Sequence, residues 1–345
     1  MKIFDVASQT QEIASANPKL IVEKEWLTEF DVPVEAIDVL GLEEPIQKYE
    51  QLYLVPLFSK ITAAELRSMI PNISKSIIII GLDFPVSEHE KGTEVRSKDG
   101  TLIGVMHDSS NVLNIDHHIP LTEMARPIST TPLVTTYVHE HGSMADKDCV
   151  IIINHVDADS LLSVLVLTGQ VDASDQRFNQ AAIDADHTGR KNNIGDLLVA
   201  LEPKRDLKFS LFCLNKFLRN ETLPEEAQLL LKQRLSQRDE AQQLVNDGKL
   251  QYMGKGVYLI ISENTLRSEL FPPAKEDATI FVVATPKAGG WEYKVRAGNA
   301  FPTNKRLNEM DIPYFGGRWN AGGTKRQGVV PIDPQTYAQL IADKL

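Results

Sequence analysis

The chain has 345 residues, of which 42% are hydrophobic and 24% are charged, and its formal net charge at pH 7 is -11. This length suffices for two domains with separate hydrophobic cores, whereas the acidic balance argues against general binding to nucleic-acid backbones. No apolar run is long enough to span a bilayer, and the first residues lack the apolar core of a signal peptide. The 2 cysteines give no disulfide framework, so we expect a cytoplasmic protein without membrane association.

The first 75 residues carry the weakest pattern in the chain. Short helices are predicted over 12–16 and 63–69, and a strand over 52–55. Segment 31–45 contains prolines and many acids, which favours loop and short helix.

Two predicted strands are each followed by side chains that can bind a metal ion. The apolar run 76–82 ends at Asp83, and the run 111–115 leads into Asp116, His117 and His118. Open α/β sheets bind ligands at the carboxyl ends of their strands. These residues are therefore candidates for a site, and a pair of surface histidines is the alternative for the second group.

A third apolar run, 149–153, precedes His155, Asp157 and Asp159. Alternate residues of an extended segment point to the same side, so these side chains are predicted to converge. An imidazole with two carboxylates suits a divalent cation. The alternative is a polar turn in which an Asp or Ser caps the helix predicted after it.

Asp184 and Asp186 follow small apolar residues and precede Gly189. Each carboxylate is either a further ligand or part of a helix cap or turn. Helices are predicted over 131–141, 197–201 and 209–218. A longer helix over 222–246, ended by Gly248, is taken as the connector between domains.

Beyond the connector, strands are predicted over 256–262, 279–285 and 291–297, and a short helix over 303–310. The segment 315–326 is rich in glycine and contains Arg318. Glycines let a backbone approach a phosphate closely, and an arginine can bind its oxygens through two hydrogen bonds. A tight turn is the alternative interpretation of this segment.

Taken together, these motifs resemble the DHH (Asp-His-His) phosphoesterase superfamily over roughly residues 76–330. The resemblance implies an α/β protein with a parallel-sheet catalytic domain (1–221), a connecting helix (222–248) and a smaller α/β substrate-binding domain (249–345) whose sheet is mixed or antiparallel. It rests on Asp83, Asp116-His117-His118, His155-x-Asp157-x-Asp159, the Asp184/Asp186 segment and the glycine-rich segment around Arg318.

The resemblance also implies a role for each candidate residue. Two divalent cations, with Mn²⁺ favoured and Mg²⁺ as the alternative, would be bridged by Asp83. His118 would contact the scissile phosphate or assist the leaving group. The other metal ligands would be His117, His155, Asp157, Asp159 and Asp186 (with Asp184 as the alternate), and the substrate would be bound by Gly316, Gly317, Arg318 and Asn320.

The chain departs from the family pattern in several respects. The His155–Asp159 motif follows Asp83 and the Asp-His-His run instead of preceding them, and the usual first position, 53–59, has no carboxylate or histidine. A residue is inserted in the Asp186 segment. Ser160 replaces a usual glycine, and Arg318 with Trp319 stands where a histidine is typical.

The chemistry expected of these residues is in-line attack of an activated water on phosphorus. We predict a metal-dependent phosphoesterase that cleaves phosphodiester bonds of small nucleotides or short single-stranded nucleic acid, as a phosphodiesterase or nuclease. An inorganic pyro- or polyphosphatase is the alternative of the same class. A non-catalytic scaffold that binds a nucleotide or a protein is the alternative of another class. A homodimer is compatible with the sequence.

Overall fold

The computed structural model describes residues 46–57, 60–68, 74–119, 128–263, 266–324 and 328–345. The helix predicted over 12–16 and the loop 31–45 lie outside the described residues, as do the ends of the segments 53–59, 63–69 and 315–326. Among the helices that the structure describes, none combines the length and the apolar character needed to cross a membrane.

The chain divides into two compact units. The first contains Ile128–Ile183 and Asn193–Gln228 together with the described residues before 120. The second contains Asp184–Asn192 and the described residues of Leu229–Leu345. The segment Asp184–Asn192 therefore belongs to the second unit, although the chain returns to the first unit after it.

In the part of the first unit that the structure describes, the sheet has seven strands. Their bounds are β1 (Gln47–Tyr49), β2 (Leu52–Leu54), β3 (Ile78–Leu82), β4 (Thr93–Arg96), β5 (Leu102–His107), β6 (Val112–Ile115) and β7 (Cys149–Ile153).

The order of these strands across the sheet is β1-β2-β7-β3-β6-β5-β4. The central strands β2, β7, β3 and β6 are parallel, and β1, β5 and β4 pair antiparallel at the two edges. Every residue of β6 and β7 is buried, as the apolar runs predict for a parallel sheet covered on both faces. Strand β7 lies between β2 and β3, although it follows β6 in the chain.

The helices of the first unit are α1 (Ala63–Ser68), α2 (Thr130–His141), α3 (Ala158–Leu167), α4 (Gln176–Ile183), α5 (Asn193–Leu201) and α6 (Leu207–Leu218). All residues of α3 are buried, and α3 packs against α2. Apart from Asp159, Ser160 and Ser163 its residues are apolar, and a helix with apolar residues on most sides has to be covered on most sides, which explains its place inside the unit. Helix α7 (Glu225–Asn246) begins in the first unit and continues into the second from Leu229.

The second unit is built on a smaller, mixed sheet of six strands. Only β9 and β10 pair in parallel, and the other neighbours are antiparallel. The elements are β8 (Gln251–Tyr252), β9 (Val257–Ile261), α8 (Phe271–Ala274), β10 (Ile280–Lys287), β11 (Gly290–Ala297), β12 (Gly316–Gly317), β13 (Ala321–Gly323) and α9 (Pro334–Lys344), in the order β12-β13-β11-β10-β9-β8 across the sheet.

The predicted fold class is confirmed: an α/β chain has a mostly parallel sheet in its first part and a smaller mixed sheet in its second. The short helix predicted over 303–310 is wrong, because only a 3-10 turn forms at Leu307–Glu309. There the amide of Leu307 donates to the carbonyl oxygen of Trp319 at 2.8 Å, and a helix this short gains too few internal hydrogen bonds to form alone.

Candidate metal centre

Three adjacent parallel strands in the middle of the first unit's sheet, β7, β3 and β6, end on the same side of the sheet. Asp83 follows β3, Asp116 follows β6 and His155 lies two residues after β7. Because β7 lies beside β3 in the sheet, the His155–Asp159 motif lies next to Asp83, although it follows Asp83 by about 70 residues in the chain. The topology thus brings the reordered motifs of the first unit to one place.

Asp83 is a buried carboxylate of this site. It is 7% exposed, and its backbone adopts a left-handed conformation with φ 49°, which Asp tolerates better than most residues. Its Oδ1 atom lies 3.1 Å from Nδ1 of His118, and Ser160 donates a hydrogen bond from Oγ to Oδ2 over 3.3 Å. The sequence marked Ser160 as a departure from the family, and its hydroxyl orients this carboxylate.

The residues after β6 complete a compact group of donors. Asp116 Oδ1 accepts a hydrogen bond of 2.7 Å from the His118 amide and lies 2.9 Å from Nδ1 of the same side chain. One ligand atom from each of four side chains lies within 4.8 Å of those of the others: Asp83, Asp116, His117 and His118. This group could hold a metal ion, and its oxygen and nitrogen donors suit a divalent cation.

Asp116 was not assigned a role from the sequence. Its position directly before two histidines could have indicated that it pairs with one of them. The structure shows that it is paired with His118. Burial favours the neutral imidazole of His118, but the hydrogen bonds to Asp116 and Asp83 outweigh it and raise the pKa of His118 to about 10. Burial opposes ionisation of Asp83, and its neighbours His118 and His117 nevertheless hold its pKa below the ordinary value.

Asp159 reaches His117 and at the same time caps a helix. Its Oδ2 atom lies 3.2 Å from Nδ1 of His117 and accepts a hydrogen bond of 2.6 Å from the amide of Thr130. Its Oδ1 atom accepts from both the amide and the hydroxyl of Thr131, each at 2.8 Å. Both oxygens of this predicted ligand therefore hold the first turn of α2.

The prediction of one extended segment over His155, Asp157 and Asp159 is wrong. Asp157 is the N-cap of α3 and accepts a hydrogen bond of 2.9 Å from the amide of Ser160, and Asp159 already lies in the first helical turn. The capping interpretation left open from the sequence describes Asp157. Burial raises the pKa of Asp157 well above its ordinary value, and repulsion from Asp83 and Asp159 adds to this effect.

His155 lies beside Asp157 on the rim of a cavity. The imidazole is exposed, and its Nε2 atom lies 3.2 Å from the side-chain nitrogen of Asn154. The cavity has a volume of about 280 Å³, and Glu202 and Arg205 contribute to its lining. The cavity therefore lies beside Asp157 and is lined by both acidic and basic side chains.

The two remaining carboxylate candidates lie in a π-helical turn of the second unit, Asp184–Thr188. Asp184 is buried and accepts hydrogen bonds from Thr188 Oγ1 at 2.6 Å and Asn192 Nδ2 at 3.2 Å. Asp186 forms an ion pair with Arg318. Which of the two is a metal ligand stays a prediction.

The glycine-rich segment forms a tight antiparallel pair of short strands, β12 and β13. A Cβ atom on Gly317 would lie 2.4 Å from the carbonyl oxygen of Ala321, so this glycine is needed for the close approach of the two strands. Arg318 and Asn320 both turn toward the π-helical turn, where Asn320 Nδ2 lies 3.0 Å from Nδ1 of His187. The structure therefore supports the turn interpretation of these glycines, and their role in substrate binding stays a prediction.

A buried charge cluster of the second unit was missed from the sequence. Glu269 is fully surrounded by protein and lies 3.3 Å from Arg234, 2.6 Å from Arg267 and 3.9 Å from Arg296. These residues are far apart in the chain and form no motif, so no sequence signal marked them. Burial opposes ionisation of Glu269, but the three guanidinium groups lower its pKa to about 2.

No protein-family model matches the chain, and no curated protein is recognisably similar to it in sequence. A solved structure of a pGpG-specific phosphodiesterase, PggH from Vibrio cholerae, is similar over 54% of this chain and 80% of that chain, with 13% sequence identity and a TM-score of 0.34. The identity and the TM-score are too low for this similarity to decide what the chain does.

Proposed function

We propose that this protein is a divalent-metal-dependent phosphodiesterase whose metal centre lies in the first unit. The observation that carries the proposal is the cluster of Asp83, Asp116, His117 and His118, with ligand atoms within 4.8 Å of one another. The cluster stands at the carboxyl ends of β3 and β6, where open α/β sheets bind their ligands.

The charges of the first unit also favour a cation at this site. Asp83 and Asp159 both lie close enough to Asp157 to repel its carboxylate. Asp83 and Asp159 are almost completely buried. Burying several carboxylates together is costly unless positive charge offsets them, and the two adjacent histidines provide only part of it.

Asp83, Asp116 and His117 of this cluster would hold the cation, and Asp157 is the further ligand expected from the sequence. Manganese and magnesium are the expected ions, because the donors are oxygen and imidazole and no thiolate is present. Bound divalent cations supply charge neutralisation on the phosphoryl oxygens and acidify a water molecule.

His118 would act on the leaving group. Its side chain is 42% exposed, so a substrate can reach it. Asp116 and Asp83 both lie within hydrogen-bond distance of Nδ1, so they fix the orientation of the ring and stabilise its protonated form. A protonated imidazole held in this way can donate a proton to the oxygen that leaves phosphorus.

The substrate we propose is a small nucleotide or a short single-stranded nucleic acid. A net charge of -11 disfavours a long polyanion. Arg318 and Asn320 of the second unit are the proposed phosphate contacts, and an incoming phosphate would have to compete with Asp186 for Arg318.

A non-catalytic scaffold is the second candidate, and one observation favours it. Both oxygens of Asp159 are engaged in capping α2, which leaves fewer carboxylates for two cations. Metal content separates the two candidates: purified protein that holds neither manganese nor magnesium, and that takes up neither when it is added, supports the scaffold.

The test is hydrolysis of a model phosphodiester, linear dinucleotides and pyrophosphate by chelator-treated protein after addition of Mn²⁺ or Mg²⁺. We expect metal-dependent cleavage of the phosphodiesters, and a loss of about a hundredfold or more in kcat for Asp83→Asn and His118→Asn. His141→Asn, on the exposed last turn of α2, is the matched control and should retain activity. Full activity of Asp83→Asn, or cleavage of pyrophosphate alone, contradicts the proposal.

A further inference from the structure

The cavity beside Asp157 adjoins the candidate metal centre and has no role in the proposed reaction. Its volume is about 280 Å³, and Asp157 is one of its lining residues. Ser160 joins this residue to the metal centre, because its amide donates to Asp157 at 2.9 Å and its hydroxyl to Asp83 at 3.3 Å. A group attached to a phosphate at the metal centre can therefore enter the cavity.

One wall of the cavity is formed by the end of β2 and by the start of the loop after β7. Leu54, Pro56 and Val156 line it, and all three are buried. Asn154 Oδ1 accepts a hydrogen bond of 2.7 Å from the amide of Leu57, which holds the chain after β2 to the end of β7. This wall is apolar, and its position is set by contacts within the protein.

A second wall is formed by the 3-10 turn Glu202–Lys204 and by Arg205, which follows it. Glu202, Pro203 and Arg205 line the cavity. The amide of Arg205 donates to the carbonyl oxygen of Glu202 at 3.0 Å, and Gln47 of β1 donates to the carbonyl oxygen of Arg205 at 2.5 Å. The turn is therefore held in place, and it presents one acidic and one basic side chain to the cavity.

The charges of the cavity disfavour a second phosphate as its occupant. Glu202 and Arg205 carry opposite charges on the same turn, and Asp157 adds a further carboxylate. A phosphate would face both carboxylates, and bringing like charges together is costly. A neutral group with a polar edge can use both charged side chains. Its N–H groups can donate to Glu202, and its ring nitrogens or carbonyl oxygens can accept from Arg205.

A nucleobase has this combination of surfaces. Its faces suit the apolar wall of Leu54, Pro56 and Val156, and its edge carries hydrogen-bond donors and acceptors. Sites for small molecules are generally lined in this way, by apolar side chains with a few polar groups that fix the orientation of the ligand. The sugar would join such a base to the phosphate at the metal centre.

We propose that this cavity is the subsite for one nucleobase of the substrate, with the edge of the base directed to Glu202 and Arg205. The inference rests on the proposed phosphodiesterase, whose metal centre holds the phosphate. It restricts the substrate class to nucleotides, because pyrophosphate and polyphosphate have no neutral group that could occupy the cavity.

The test compares the binding of the four common nucleoside 5′-monophosphates with that of ribose 5-phosphate, which has the same sugar and phosphate but no base. In the presence of Mn²⁺, calorimetry of the wild-type protein should show about tenfold tighter binding of the preferred nucleotide. Glu202→Ala and Arg205→Ala should each reduce this ratio by about fivefold, with the affinity for ribose 5-phosphate unchanged. Lys208→Ala, at an exposed position of α6, is the matched control and should keep the ratio.

Two results would overturn the proposal. One is a wild-type protein that does not prefer any nucleotide to ribose 5-phosphate, a comparison that needs no variant and so does not depend on how the variants fold. The other is an equal loss of affinity for both ligands in Arg205→Ala, because Arg205 would then contact a phosphate and not a base.

A second measurement on the wild-type protein locates the base. The preferred nucleotide should shift the methyl resonances of Leu54 and Val156, which ribose 5-phosphate leaves in place, and the exposed Val329 of the second unit should respond to neither. Unshifted Leu54 and Val156 methyl groups would place the base elsewhere and refute the subsite. Hydrolysis of phosphodiesters without a preference for nucleotides would remove the subsite and leave the enzyme, whereas the preference without hydrolysis would contradict the enzyme alone.

Discussion

Two aspartates of one motif, Asp157 and Asp159, have opposite effects on the free energy of the fold. Asp159 accepts hydrogen bonds from Thr130 and Thr131 and holds the start of α2. Asp157 accepts only one, from Ser160, and is repelled by Asp83 and Asp159. In the metal-free protein, Asp159 therefore stabilises the fold, whereas the buried charge of Asp157 destabilises it.

We predict that Asp159→Asn lowers the free energy of unfolding by about 1–3 kcal/mol in the metal-free protein, because an amide cannot accept all three buried hydrogen bonds. Asp157→Asn should leave stability unchanged or raise it, since Asn is also a good N-cap and removes a buried charge. Urea denaturation at pH 7 in the presence of a chelator measures both variants. A larger loss for Asp157→Asn than for Asp159→Asn would refute this division of roles.

At the scale of elements, arginine side chains of the second unit bind the backbone carbonyl oxygens of the segment Asp184–Asn192. Arg238 donates to the carbonyl oxygen of Gly189 at 2.6 Å, and Arg296 donates to that of Asp186 at 3.2 Å. Gly189 has φ +64°, and a Cβ atom there would lie 1.6 Å from the carbonyl oxygen of Glu269. The placement of Asp184 and Asp186 thus depends on the close approach of two backbones at one glycine.

We expect Gly189→Ala to destabilise the protein strongly, because backbone atoms must move to make room for the methyl group. Gly248→Ala is the matched control: its φ is +67°, but a Cβ atom there has nothing within 4 Å. It should cost only the left-handed conformation, about 1 kcal/mol. Thermal melts of the two variants measure the difference. Equal melting temperatures would show that the backbone of Glu269 leaves room for a side chain at position 189.

At the scale of the whole molecule, stability in acid should depend on the buried cluster of Glu269 with Arg234, Arg267 and Arg296. The pKa of Glu269 is about 2 in the folded protein, below its ordinary value of 4.5. The unfolded chain therefore takes up this proton at a higher pH than the folded one. The stabilisation from Glu269 is present above pH 4.5 and is lost as the pH falls toward 2.

We predict that Glu269→Gln is less stable than the wild type at pH 7, by about 3–5 kcal/mol, because the buried guanidinium groups of Arg234 and Arg296 and the partly exposed one of Arg267 lose their anion. The difference between the two proteins should shrink between pH 4.5 and pH 2. Denaturation curves at several pH values measure it, with Glu276→Gln, at an exposed position, as the control. A difference that does not change with pH would contradict the assignment.

The sequence predicted much of the local structure of the candidate site. The apolar runs of β3, β6 and β7 identify buried parallel strands, because β-branched residues that fill a whole strand have to be covered on both faces. Asp83 and the Asp116–His118 run could be placed at strand ends for the same reason. Strands were also predicted for the second unit, where the family resemblance implied a mixed or antiparallel sheet, and the structure has a mixed one.

What the sequence could not determine depends on contacts between distant residues. An apolar strand can pair with any other, so only the tertiary structure decides that β7 lies between β2 and β3 and brings Asp159 to within 3.2 Å of His117. The capping of α2 by Asp159 and the assembly of three arginines around Glu269 have no local signal either. By itself the sequence determined which side chains could do chemistry, and the tertiary structure decided which of them meet, because long-range packing sets strand order and local pattern does not.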